Sequence, residues 1–214
     1  TPMSNMKMAI HMLRNMSSPE RQKQYLDILQ TECVREIELI NDLLDLQRLE
    51  AASYSLVPTV LDIHKIVTIL TEPFRSRTCD RQQSLVVELP PNLTPIRTDQ
   101  PTLERILAEL LNNACKYTPP GSEIFFEVEQ TENGLNQTGK TVFIVKNQAE
   151  IPALELPRIF DKFYRVPNGD RWKQGGTGLG LALVKRLVTE LGGVIQVDSA
   201  NGWTTFTVTL PHLS

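Results

Sequence analysis

Apolar residues recur every three or four positions at the start of the chain, where Met3, Met6, Ile10 and Leu13 form one helical stripe. Ser17-Ser18-Pro19-Glu20 interrupts the stripe and restarts it, with Ser18 suited to cap a helix and Pro19 to open one. A second, longer helix is expected from Arg21 to Leu49, with Leu26, Leu29, Cys33, Ile37, Ile40 and Leu44 as its inner face. Two such helices joined by a tight turn bury only one face on each other. The remaining apolar face calls for a four-helix bundle made by two chains.

After a linker that follows the second helix the pattern changes. Residues 62–81 read as a helix, and 84–89 alternate as a strand that ends at Pro90-Pro91. Residues 102–115 form a strongly patterned helix, while 123–129 and 141–146 read as β-branched and aromatic strands joined by a polar loop. A further helix over 179–191 stops at Gly192-Gly193, and strands at 194–197 and 204–210 close the chain. The expected fold class is α+β: a helical hairpin over residues 1–52, a linker over 53–60, and an α/β sandwich over 61–214.

Composition narrows the function classes. The 214 residues are 41% hydrophobic and 22% charged, enough for a packed core. A net charge of −3 gives no basic field, so nucleic acid is not expected as a partner. Cys33, Cys79 and Cys115 are widely spaced, which fits a reducing cytoplasm rather than a disulfide scaffold or a zinc site. No apolar run is long enough to span a membrane, and no membrane contact is expected of these residues. The chain opens inside an amphipathic pattern without Met, which reads as a fragment whose parent could be anchored upstream.

The candidate chemistry lies on the patterned helix. Leu103, Ile106, Leu107, Leu110, Leu111 and Ala114 make its buried face, and Glu109, Asn113 and Lys116 cluster on one edge of that face. An Asn with a carboxylate one turn before it and a Lys one turn after can hold Mg²⁺ by its amide oxygen while the Lys meets phosphate. Taken alone, an ordinary solvated helix edge explains that pattern better. The run Gly175-Gly176-Thr177-Gly178-Leu179-Gly180 changes the balance. Glycines let backbone N–H groups approach phosphate, and the helix that follows points its positive end at the anion. The polar stretch 167–174 before it reads as a mobile lid over a nucleotide. Gly134-Leu135-Asn136-Gln137-Thr138-Gly139-Lys140-Thr141 satisfies the Walker A pattern, but a strand follows where a P-loop needs a helix, so the segment is read as a hairpin loop.

In this order the motifs resemble those of sensor histidine kinases. Residues 108–117 resemble the family's N box, Ile159-Phe160-Asp161-Lys162-Phe163-Tyr164-Arg165 its F box, and 176–183 its second glycine box. Gly202-Trp203-Thr204-Thr205-Phe206 resembles the closing strand motif, and Thr1-Pro2 the tail of the His-Glu-x-x-Thr-Pro box. The resemblance implies a Bergerat-type ATP-binding fold, with Mg²⁺ on Asn113, phosphates at Lys116, and Tyr117 beside the nucleotide. Gly176, Thr177, Gly178, Leu179 and Gly180 would frame the lid and the phosphate-facing helix start. Phe160 and Phe163 would anchor the lid, Arg165 and Lys173 would approach phosphate, and Thr205 would join the adenine-side hydrogen bonds. Thr1 would be the threonine associated with dephosphorylating a response regulator.

The chain departs from the family's pattern in three places. The first glycine box, usually Asp-x-Gly-x-Gly-Ile, is replaced by Asn147-Gln148-Ala149-Glu150-Ile151, in which Asn147 still offers a carbonyl oxygen to the adenine amino group. Glu109 stands where many kinases have Asn, and in hydrolytic relatives a Glu there orients the attacking water. The phospho-accepting His would lie four residues before Thr1, and His11, followed by Met12, is no substitute. His11, His64 and His212 are read as structural or surface residues.

The implied function is transfer of the ATP γ-phosphoryl group to a histidine of a homodimer built through residues 1–52, then to the aspartate of a response-regulator receiver domain. These 214 residues alone are expected to bind ATP without labelling themselves. Two alternatives stay open: a degenerate kinase acting as scaffold or response-regulator phosphatase, and an ATPase using Glu109.

Overall fold

The computed structural model describes residues 2–14, 18–51, 55–131, 139–167 and 176–212. The chain divides into two compact units, Thr1–Ala52 and Ser53–Ser214.

The first unit is a hairpin of α1 (Pro2–Arg14) and α2 (Pro19–Glu50). Ser18 precedes α2 in an extended conformation, and Pro19 takes the first turn, where its missing N–H costs nothing. Of the inner face that the sequence suggests for α2, only Leu29 is turned away from solvent. Asn5 donates to the Glu32 carboxylate across the hairpin at 3.1 Å, and Arg35 meets the same oxygen at 3.2 Å. Ile28, Leu29 and Leu39 on that side are half-buried, whereas Leu26, Cys33, Ile37, Ile40 and Leu44 are exposed. The physical reason is that α2 carries two apolar stripes, and the covered one includes a charged residue that hides it from a periodicity count. Val34 and Leu43 widen the uncovered stripe.

In the second unit a five-stranded sheet runs in the order β2 (Ser84–Glu88), β4 (Glu123–Thr131), β5 (Lys140–Asn147), β7 (Trp203–Pro211), β6 (Val194–Ala200). Among the described residues only β2 and β4 pair in parallel. The connection between them carries β3 (Ile96–Thr98) and α4 (Gln100–Tyr117), as a parallel pair requires a long crossover. Two short strands absent from the sequence reading, β1 (Thr59–Leu61) and β3, form an antiparallel pair of three residues each. They are too short for alternation to be legible.

One face of the sheet is buried and the other open. Ile124, Phe126 and Val128 on β4, Phe143 and Val145 on β5, and Phe206, Val208 and Leu210 on β7 all point into the core. α4 packs against α3 (Ile63–Asp80), against α5 (Gly180–Glu190) and against β5. Its residues Leu103, Ile106, Leu107, Leu110 and Leu111 are at most 1% exposed. Asp99 starts this helix by accepting from the Thr102 backbone N–H at 3.0 Å, and also binds the Val57 N–H at 2.9 Å. Burial of Asp99 works against its charge, but the Thr102 hydroxyl and the two N–H groups outweigh it and hold the carboxyl below its ordinary value.

The segment that satisfies the Walker A pattern leads into β5. Thr131 pairs with Lys140 at the hairpin end of the β4–β5 ladder, and residues 132–138 lie outside the described residues.

Candidate nucleotide site

The edge of α4 that carries Glu109, Asn113 and Lys116 lies against the glycine segment. A β-carbon placed on Gly176 would sit 2.5 Å from the Lys116 Nζ, and one on Gly180 would sit 2.7 Å from the Glu109 Oε2. Asn113 lies between Glu109 and Lys116 on the helix, as Gly178 lies between Gly176 and Gly180 in the loop. Conformation favours glycine at Gly176 and Gly178, whose φ are +115° and +74°, and at Gly178 the main chain of Phe163 and Tyr164 also leaves no room for a β-carbon.

Each polar side chain on this edge has a defined setting. Glu109 is paired with Arg105 at 3.5 Å and lies beside the first residue of α5, where the helix dipole favours a negative charge. Lys116 holds its ammonium 4.8 Å from the Tyr117 ring centroid. Asn113 is half-exposed, and its amide makes no hydrogen bond among the described residues. Its neighbour Asn112 is used differently, accepting from Arg77 on α3 at 2.6 Å. The first turn of α5 has no side-chain cap of its own, while the Leu179 N–H donates to the Thr177 hydroxyl at 3.1 Å and the Leu179 side chain is fully buried.

The F-box segment is tied to the glycine loop through backbone. Phe163 donates its N–H to the Gly178 carbonyl at 2.9 Å, and a β-carbon on Gly178 would lie 2.8 Å from the Phe163 carbonyl carbon. Phe163 itself has φ +64° and is 61% exposed, and its hold on the loop runs through main chain. Phe160 is half-buried, with Lys185 of α5 at 5.6 Å from its ring. Arg165 is exposed. Thr1 and Lys173 lie outside the described residues.

At the end of β5, Asn147 is buried and donates from Nδ2 to the Thr118 hydroxyl at 3.2 Å. The segment after it lacks the family's glycines, yet none of residues 148–151 has positive φ, so their side chains cause no backbone strain. It is held instead by side chains of the last two strands. Ile151 donates to Ser199 at 2.8 Å, Thr204 donates to the Ala149 carbonyl at 2.8 Å, and Ser199 and Thr204 bond each other at 2.9 Å.

The expectation for Thr205 is corrected by strand register. Asn147 pairs with Thr204, and Thr205 pairs with Lys146 on the opposite, open face, beside Trp203 and Phe125. A shift of one residue along a strand reverses the face. Thr204, with Thr118 and Ser199, is what the sequence reading missed. Alternation of Phe206, Val208 and Leu210 as core residues would have put Thr204 on their side.

Comparison with known proteins gives this geometry a context. Residues 98–214 match the model of the histidine kinase-, DNA gyrase B-, and HSP90-like ATPases. The chain belongs to that family. Residues 1–52 match the His Kinase A phospho-acceptor domain, which puts the chain in the histidine kinase branch and accounts for the hairpin. It is 32% identical over 192 residues to the sensor histidine kinase WalK of Bacillus subtilis, covering 88% of this chain and 30% of that protein. It is 34% identical over 197 residues to the circadian input-output histidine kinase CikA of Synechococcus elongatus, covering 90% and 25%. The chain therefore spans about a third or less of either relative. A solved histidine kinase, ThkA, in complex with the response regulator protein TrrA, matches the fold with a TM-score of 0.78 at 19% identity, over all of this chain and 58% of that one. Among the described residues, no helix is long and apolar enough to cross a membrane.

Proposed function

We propose that this chain is the dimerisation and catalytic core of an ATP-dependent protein-histidine kinase in two-component signalling. One observation carries the reading: on the α4 edge Lys116 Nζ and Glu109 Oε2 lie 2.5 Å and 2.7 Å from where β-carbons on Gly176 and Gly180 would sit, so this edge faces the glycine segment. In this reading residues 1–52 form the dimerisation hairpin, 53–60 the linker and 61–214 the catalytic domain. The uncovered stripe of Leu26, Ile37, Ile40 and Leu44 supplies the apolar face for the second copy.

Lys116 meets the phosphate oxygens, and the N–H groups at the start of α5 receive them at the positive end of that helix. Asn113 fits a single protein ligand for Mg²⁺, because its amide is half-exposed and otherwise unengaged among the described residues. Such an ion, held mostly by phosphate and water, would supply charge neutralisation. Asn147 takes the base, Tyr117 serves the nucleotide, Phe163 and Gly178 tie the F-box segment to the glycine run by main chain, and Arg165 and Lys173 are assigned to the phosphates. Catalysis is then chiefly positioning and electrostatic stabilisation of the transferring group. The phosphate passes from a bundle histidine to an aspartate of a receiver domain; ThkA, a relative in fold, is known in complex with a response regulator.

The test uses a form of the chain with a His-Glu-x-x segment joined ahead of Thr1-Pro2, which completes the phospho-accepting box. With γ-labelled ATP and Mg²⁺ it acquires acid-labile phosphate, which passes to a receiver domain. A dimer that binds ATP but takes up no label would overturn the kinase reading.

A further inference from the structure

From the pairing of Asn147 with Thr118 we infer that the base pocket accepts 6-oxopurine as well as 6-aminopurine nucleoside triphosphates. The inference rests on the nucleotide reading above and concerns the base-recognising end of the same site.

Asn147 is 4% exposed, and its only side-chain hydrogen bond among the described residues runs from Nδ2 to the Thr118 hydroxyl. Its Oδ1 makes no hydrogen bond among the described residues. The inner end of the amide is therefore engaged and the outer end is available to a ligand. An acceptor there suits the 6-amino group of adenine.

Thr118 makes the arrangement reversible. Its hydroxyl accepts the one bond from Asn147, and its own proton has no acceptor among the described residues. A hydroxyl can donate or accept, and the two ends of a carboxamide have nearly the same shape. Turning the Asn147 amide over lets Thr118 donate to Oδ1 and points Nδ2 outward, with the inner bond kept. The outer end then donates, as the 6-oxo group of hypoxanthine or guanine requires. The surrounding main chain need not move: the Asn147 carbonyl is held by the Ala149 N–H at 2.9 Å, and Ile151 by Ser199.

An aspartate at this position has no second state. Both of its oxygens accept, so a 6-oxo base would set two acceptors face to face in a buried place, where an unmet polar group is costly. Asn147 is thus the specificity-determining residue, and Thr118 the group that gives it two orientations.

Dissociation constants of Mg-ATP and Mg-ITP, measured calorimetrically on the full 214-residue chain, test this directly. ITP replaces the 6-amino group by oxygen without adding the 2-amino group of guanine. The unaltered chain is expected to bind the two within about tenfold of each other, whereas Asn147→Asp widens the ratio in favour of ATP to about a hundredfold or more. Because the comparison on the unaltered chain decides the matter, a variant that fails to fold does not obscure it. Binding of ATP with ITP rejected by about a hundredfold would overturn the inference and leave the nucleotide site intact. Failure of both nucleotides to bind would overturn the site itself, and this inference with it.

Discussion

Two sides of one helix show how this domain divides its labour. The inner side of α4 is aliphatic and sealed, from Leu103 to Ala114, while the edge a third of a turn away carries a carboxylate, an amide and an ammonium that are each half-exposed. The first side fixes the helix on the sheet. The second holds groups that packing would not select, against a loop whose glycines keep the space open. Burial reads out stability here, and open polar edges read out chemistry.

The sharpest way to separate the two is to damage the sealed side. Leu110→Ala removes a fully buried side chain at the centre of the core and is expected to cost about 2–5 kcal/mol. Urea unfolding measures it. A loss below about 1 kcal/mol would mean that α4 is not the keystone of this core.

The edge should respond the other way. Asn113→Ala is expected to leave the unfolding free energy measured in urea within about 0.5 kcal/mol of the parent. The same change should weaken Mg-dependent ATP binding by roughly tenfold or more, or about 1.4 kcal/mol. Asn112→Ala is its mirror: it loses the Arg77 bond, which costs about 1 kcal/mol of stability, and leaves ATP affinity unchanged. Calorimetric titration of both variants decides whether the two adjacent asparagines are as different as their partners imply.

Most of the sealed side was legible in the sequence, because a helix that buries one face must repeat its apolar residues at helical spacing. The glycine run was legible for a related reason: few other functions need Gly176, Gly178 and Gly180 so close together. What could not be read depends on long-range register. The stripe of α2 that meets α1 contains Glu32, matched to Asn5 across 27 positions, and no local pattern announces such a pair. Likewise the substitute for the first glycine box is secured by Ser199 and Thr204, about 50 residues away in sequence.

The start of α4 offers a smaller effect with a pH signature. The folded-state value of Asp99 lies below its unfolded one, so the unfolded chain binds the proton more readily. The stabilisation is then fully present above the unfolded value of about 4 and is lost as pH falls through the folded value. Asp99→Asn keeps a cap but removes this titration, at a cost of about 1 kcal/mol near neutral pH. The difference between parent and variant should shrink on acidification below pH ~4. A difference that stayed constant with pH would show that the charge of Asp99 contributes nothing.

The last prediction carries the same contrast to a strand, where the two sides are successive residues. Thr204 lies on the core side, bonded to the Ala149 carbonyl and to Ser199, while Thr205 lies on the open face opposite Lys146. Thr204→Val keeps the shape but unties the segment that follows Asn147, and should cost about 1 kcal/mol together with a several-fold loss of ATP affinity. Thr205→Val exchanges one β-branched residue for another on a solvated face and should change stability by less than about 0.5 kcal/mol. Its ATP affinity should match that of the parent. If instead Thr205→Val weakened ATP binding and Thr204→Val did not, the nucleotide would have to lie on the open face, and the edge of α4 could not be its site.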